Sequence, residues 1–308
     1  MGVINIILVT YNRPKFLKKA ISSILAQTFE KFNLIILNNG SEVETDEVIR
    51  LFKDRRIATI KNKINSKEFI NSAFSYLDCE YFMITHDDDE MAPGFLDHQI
   101  NILRLKNEID LLSSRINLID ENSDNLKKVR PRLFRDKIWR KGEYINEYFF
   151  SGNIIPCPTI IFRSDFLKKN PLKYNWDAGP AADLYLLFEA NLKGTLALSK
   201  EPVFNYRIHS KQDSELNRVS LEFEVKSEII KLFNANNLDN LIAKYNSASN
   251  GIILNILFEG LMTKRISLSI FKKNITTLLN NHNLKIDRYT IYWTIIGLFR
   301  GIKNLIKI

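Results

Sequence analysis

Residues 4–9, INIILV, form an apolar run of strand length, the pattern of a β-strand covered on both faces. The run breaks at Asn12-Arg13-Pro14. Beyond it, Leu17, Ala20, Ile21, Ile24 and Leu25 recur at spacings of three and four, and Pro14 suits a first helical turn. Residues 33–37, NLIIL, repeat the strand pattern, and Asn38-Asn39-Gly40-Ser41 supplies turn chemistry. Strand, helix and strand in this order read as a right-handed βαβ unit with parallel strands. Further strands are predicted at residues 57–60 and 80–85, with a helix near 66–77 between them. The fold class is therefore α/β. A chain of 308 residues with 45% hydrophobic and 11% aromatic side chains can bury a sizeable core, which excludes a disordered chain.

In open parallel sheets, ligands bind outside the carboxyl ends of the strands. Thr10-Tyr11-Asn12, Asn38-Asn39-Gly40 and His86-Asp87-Asp88-Asp89 all fall at such ends and are expected to converge. The first strand runs into VTYNRP, without the glycines of GxGxxG, and no GxxxxGK[ST] occurs, so neither a dinucleotide nor a P-loop site is supported. Four acids follow His86 directly. Clustered carboxylates repel one another unless a cation or hydrogen bonds compensate, and hard divalent ions such as magnesium or manganese take oxygen ligands and bridge to phosphates. The alternative is a solvated acidic turn before the helix that Pro93-Gly94-Phe95 begins. Cys79 and Cys157 lack CxxC spacing, which points to reduced thiols in a cytoplasmic protein, and MGVINIILVTYNRP has no basic leader region. A net charge of +9 favours phosphates, anionic lipid or nucleic acid without choosing among them.

Taken together, VTYNRPKFLKKAISSILAQTF, LIILNNGS and HDDDEMAPGFL, followed by GPAADLYLLFEANLKG and EPVFNYRIHSKQDS, resemble a family 2 glycosyltransferase. The resemblance implies a GT-A fold, a mixed and mostly parallel sheet flanked by helices, over residues 1–215. It implies a donor-binding half at 1–110 and an acceptor half at 111–215. It also implies inverting transfer from a nucleotide-diphosphate sugar, UDP-linked in the simplest case, to a glycan or lipid-linked glycan in surface polysaccharide assembly. By this likeness HDDDE stands in place of a DxD motif, with Asp88 the best metal ligand, Asp89 beside it, and His86 and Asp87 on the donor. The implied cofactor is Mn2+ or Mg2+. Thr10, Tyr11, Asn12 and Arg13 would seat the nucleotide, the Tyr11 ring offering a stacking face. Asn38, where the family often has an aspartate, and Asn39 and Asn71 complete the donor set. The arginine that usually precedes that last asparagine is here Ile70.

Asp183 aligns with the family's catalytic base, a carboxylate able to take the acceptor's proton. Its alternative role is as a cap of the helix predicted from LYLLFEANL. In YRIHSKQDS, His209 is a third metal ligand or an ordinary histidine, and Arg207 and Lys211 are expected phosphate contacts or solvated charges. A sugar nucleotidyltransferase would need a glycine-rich phosphate loop that is absent here. A nucleic-acid-binding module would need a basic helix or RNP-like aromatic motif, so no nucleic acid partner is expected.

From residue 216 onward the spacing is helical throughout. In the last segment, residues 288–308, Ile295, Phe299, Ile302 and Ile306 share one face and Arg300, Lys303 and Lys307 lie opposite. Its uncharged run is too short to span a bilayer. Two readings stand side by side: a peripheral helix at the inner face of the cell membrane, or a helix packed on its own core or on another copy in a homo-oligomer.

Overall fold

In a computed structural model of the chain, residues 2–209, 218–281 and 286–306 are described. The apolar runs become β1 (Ile4–Thr10), β2 (Phe32–Asn39), β3 (Ile57–Asn62) and β4 (Tyr81–His86). Between β1 and β2 runs α1 (Pro14–Leu25), α2 (Val43–Arg50) follows β2, and the helix expected near 66–77 is a short α3 (Lys67–Asn71) continued as a 3-10 turn. The chain proceeds through β5 (Glu90–Met91), α4 (Phe95–Leu105), β6 (Leu111–Ile119), β7 (Asn125–Arg130), β8 (Lys137–Trp139) and α5 (Glu143–Ser151). β9 (Ile161–Arg163), α6 (Ser164–Lys169), α7 (Ala182–Lys193) and β10 (Leu196–Arg207) come next. Four helices follow: α8 (Arg218–Ala235), α9 (Asp239–Met262), α10 (Leu268–Asn281) and α11 (Arg288–Ile306).

Ten strands form one mixed sheet of order β3-β2-β1-β4-β9-β6-β10-β5, with β7 on β6 and β8 on β10. β3, β2, β1 and β4 run parallel to one another, as do β6 and β10. The short β9 joins these two parallel sets by running antiparallel to both β4 and β6. β1 is covered on both faces, so Asn5, the polar residue within its apolar run, must find partners inside. Asn5 does so, donating to the Tyr76 carbonyl at 3.1 Å and to Asp78 at 2.6 Å, and accepting from Asn33 at 2.8 Å. The core against one face of the sheet is largely aliphatic, with Ile6, Leu8, Leu17, Ile21, Leu34, Ile36 and Met83 fully enclosed.

The chain divides into two compact units, neither contiguous in sequence. The sheet and its flanking helices make up Met1–Gly142, Ile154–Tyr174 and Ala190–Ser210. The second unit comprises Glu143–Asn153, Asn175–Glu189 and Lys211–Ile308. Part of its core is aromatic, where Phe188 stacks on Phe233 at 6.2 Å and meets the Tyr148 ring edge-on at 5.1 Å, and part is aliphatic, around Ile253, Leu254, Leu257 and Leu278. α11 lies close against α9, where a Cβ on Gly297 would stand 2.7 Å from the Asn255 Cα, and Asn255 donates to the Trp293 carbonyl at 3.1 Å. Among the described residues, no helix is long and apolar enough to cross a membrane.

The turn after β2 depends on one glycine. Gly40 has φ +80°, and a Cβ there would lie 2.4 Å from the backbone of Ile64 and Asn65. Asn39 holds that same loop, donating to Asn65 at 2.7 Å and accepting the Ser66 amide at 3.0 Å. Gly94 has φ +78° but open space where its Cβ would be. Gly94→Ala should therefore lose only the left-handed penalty, about 1–2 kcal/mol, whereas Gly40→Ala should lose clearly more because backbone must also move. Urea denaturation of the two variants compares them directly; equal losses would show that the 64–66 loop yields freely.

Candidate functional site

β4 ends at the exposed His86, and the chain turns through three aspartates before Glu90 and Met91 pair with β10 opposite Asn205 and Phe204. Since β4 lies parallel beside β1, with Val9 opposite His86, these acids emerge next to the loop that leaves β1. Asp87 turns back into that loop. It accepts the Thr10 hydroxyl at 2.6 Å, the Tyr11 amide at 3.2 Å and the Arg13 guanidinium at 3.1 Å. Asp88 presents one oxygen to both Arg13, at 2.8 Å, and His209 Nε2, at 3.1 Å. Asp89 accepts the Arg207 amide through Oδ1 at 2.9 Å, while its Oδ2 is buried with no hydrogen-bond partner among the described residues.

All three carboxyls are buried, and their titration separates by surroundings. Burial pushes Asp87 up to about 6 against the pull of Arg13. Burial, reinforced by the charge of Asp88, raises Asp89 well above the usual carboxylate range. Burial also works to raise Asp88, but His86, Arg13 and His209 together outweigh it and leave this carboxyl below its ordinary value. The central acid is thus held ionised between two that resist ionisation.

Tyr11, at 44% exposure, stands at the rim with its ring accessible. Asn12 adopts φ 51° and binds the β1 loop to the β2 turn, its amide donating to the Ser41 hydroxyl at 3.1 Å and its Oδ1 accepting the Glu42 amide at 2.8 Å. The strand-end loops therefore converge as expected.

Several of the expected contact residues make hydrogen bonds within the protein. Asn38 is enclosed, donating to Asp46 at 2.7 Å and accepting the Ser41 amide at 3.0 Å, and Asn39 holds the 64–66 loop. Asn71 clasps the Tyr174 backbone from both ends, at 3.1 and 2.9 Å. Arg207, expected beside a phosphate, is fully buried. It donates to the carbonyls of Asp88 at 2.8 Å and Asp120 at 2.6 Å, to the Ser123 hydroxyl at 3.2 Å and to the Glu90 carboxylate. Its charge balances the acids from within the protein. Lys211 lies outside the described residues. Asp183 belongs to the second compact unit, where it sits half-buried in the first turn of α7 and accepts the Leu184 amide at 2.7 Å.

Two contributors stand outside the residues expected at the site. Phe16, in the first turn of α1, puts its ring 5.1 Å from that of His209 and 4.8 Å from the Arg207 guanidinium. Glu90, the fourth acid of the run, anchors Arg207 from the far side.

His86, Asp88 and Asp89 offer ligand atoms that all lie within 4.8 Å of one another. Carboxylate oxygens with one imidazole suit manganese or magnesium. A buried carboxylate oxygen without a partner is a standing electrostatic penalty that a cation would remove, so the residues fit a divalent ion.

The family model described as glycosyl transferase family 2 matches residues 5–168. An uncharacterized glycosyltransferase of Methanocaldococcus jannaschii is 34% identical over 179 residues, 56% of this chain and 59% of that relative's own length. One from Haemophilus influenzae is 27% identical over 300 residues, 90% of each chain. The Escherichia coli O-antigen biosynthesis glycosyltransferase WbnJ is 25% identical over 68% of this chain and 82% of its own. Among solved structures, S. aureus TarS 1-349 in complex with UDP-GlcNAc aligns over 100% of this chain and 92% of that one, with a TM-score of 0.64 and 14% identity. The mannosyltransferase PcManGT of Pyrobaculum calidifontis, in complex with GDP-Man and Mn2+, aligns over 98% and 87%, with a TM-score of 0.57 and 13% identity. These likenesses share the fold, a GT-A-like mixed sheet with a helical C-terminal region.

A carboxyl whose pKa rises on folding reduces stability at neutral pH, because the unfolded chain ionises it more readily. Asp89→Asn keeps the oxygen that accepts the Arg207 amide and removes the carboxyl whose ionisation burial disfavours. The metal-free variant should melt about 2–4 °C higher per kcal/mol gained, and should lose the stabilisation that Mn2+ gives the parent. Scanning calorimetry with and without Mn2+ checks both; a variant that gains as much from Mn2+ as the parent removes Asp89 from the ligand set.

Proposed function

This chain belongs to glycosyl transferase family 2, and from that membership we propose that it is a metal-dependent, inverting glycosyltransferase. It would move a sugar from a nucleotide-diphosphate donor, a UDP-sugar, to a glycan or lipid-linked glycan acceptor in surface polysaccharide assembly. The observation that carries the reading is the buried acid triplet with an unsatisfied Asp89 oxygen, opening beside the exposed ring of Tyr11. The UDP-GlcNAc of the TarS complex, the GDP-Man and Mn2+ of the PcManGT complex and the O-antigen role in the name of WbnJ support it.

Each residue then has a stated task. Asp88 and Asp89, with His86, would hold the cation, while Asp87 fixes the β1 loop so that Tyr11 presents its ring to the base. A bound divalent ion supplies positive charge to the departing diphosphate. His209, buried against Asp88, keeps that carboxylate oriented. Asp183 acts as general base: the acceptor hydroxyl attacks the anomeric carbon, the bond to the diphosphate oxygen breaks, and the hydroxyl proton passes to the carboxylate. One displacement of this kind inverts the anomeric centre without a covalent intermediate.

Asp88→Ala should remove Mn2+-dependent binding of UDP in titration calorimetry while the circular dichroism spectrum stays that of the parent. Undiminished Mn2+-dependent affinity in the folded variant would refute the ligand assignment. Asp183→Asn should bind UDP as the parent does yet lose roughly 10²- to 10⁴-fold in transfer rate, the usual contribution of a positioned base. Near-normal turnover would leave Asp183 as a helix-terminal residue only.

A further inference from the structure

We propose that α10 and α11 dock the protein on an anionic lipid surface. α11 packs on α9 through Tyr289, Thr290, Trp293 and Gly297, which are buried. The rest of the helix carries an apolar stripe that stays exposed among the described residues. Ile291, Tyr292, Ile295, Leu298, Phe299 and Ile302 are between 38% and 69% exposed, at spacings that keep them on one side of the helix. Phe150, itself 44% exposed, extends the stripe through its ring contact with Tyr292 at 5.7 Å. So large a continuous apolar surface marks an interaction site.

Charge decides which occupant it suits. Residues 263–308 contain nine Lys and Arg and a single acid, Asp287, and from Arg288 to the end there is no acid at all. Lys264, Arg265, Lys272, Lys273, Arg288 and Arg300 are exposed; the side chains of Lys303, Ile306 and Lys307 lie outside the described residues. A second copy meeting this face about a two-fold axis would set one excess of positive charge against another. An anionic bilayer meets the basic residues with opposite charge and accepts the aromatic and aliphatic stripe at its interface. The inference stands apart from the transfer chemistry, since none of these residues belongs to the donor site.

Residues 125–142 are also basic, with eight Lys and Arg against Asp136, and they provide the control. The test is co-sedimentation of the full chain with vesicles of phosphatidylglycerol and phosphatidylcholine in equal parts, and with phosphatidylcholine alone. The parent should pellet with the anionic vesicles, weaken in salt without complete release, and pellet poorly with neutral ones. Ile295→Ser with Phe299→Ser, both exposed, should keep the fold and lose at least about tenfold in partitioning, and Lys272→Glu with Lys273→Glu at least about tenfold. Lys127→Glu with Lys128→Glu should change it little. Equal pelleting of the stripe variant, or loss confined to the Lys127 and Lys128 variant, overturns the proposal. So does absence of vesicle binding together with a dimer in analytical ultracentrifugation that the stripe variant abolishes, which would assign the face to a second copy.

Discussion

Three consecutive carboxylates held away from water are the constraint around which the sheet unit is arranged. An uncompensated buried charge is costly, and here compensation comes from every neighbouring segment. The loop after β1 sends Thr10, Tyr11 and Arg13 to Asp87 and Asp88. The end of β10 brings Arg207 and His209 to the same acids. Among the described residues, compensation is left incomplete at Asp89 Oδ2, and a cation there would complete it.

The helical unit solves a different problem. It is built of helices, and one part of its interior is filled by rings, with Phe188 touching Tyr148, Phe233 and Tyr245. One long side chain departs from this: Lys226 is buried, donates to Asn250 at 2.6 Å, and burial brings its amine down to about 8. α9 and α11 approach closely at Gly251 and Gly297, and among the described residues the opposite side of α11 is exposed.

Much of this was legible in the sequence where pattern and length agree. The parallel strands β1, β2 and β4 are apolar runs bounded by turn residues, and the C-terminal helices repeat their three-and-four spacing over many turns. β6 was not legible because LLSSRINLI interrupts its apolar pattern with two serines. Both are buried, one sharing a hydroxyl contact with Thr159 at 2.7 Å, the other donating its amide to that residue at 3.1 Å. β9 has only three residues, too few for any period. In the site, the acids and Tyr11 announce themselves by type and position at strand ends. The commitments of Asn38, Asn71 and Arg207 do not, because each depends on a partner brought near by the fold. Asn71 and Tyr174, for example, are 103 residues apart.

Arg207 gives the site a history in time as well as a place. Its bonds to Asp88, Asp89 and Glu90 join residues 117 to 119 positions apart. On the ribosome the acids therefore emerge well before the guanidinium that balances them, and at about 5–20 residues per second the interval is roughly 6–24 s. Until β10 is made, the nascent chain carries an acidic strand end without its internal counter-charge, in solvent that screens it. The sheet can begin as β1, β2 and β4, but the acids can be sealed inside only after the last strand arrives.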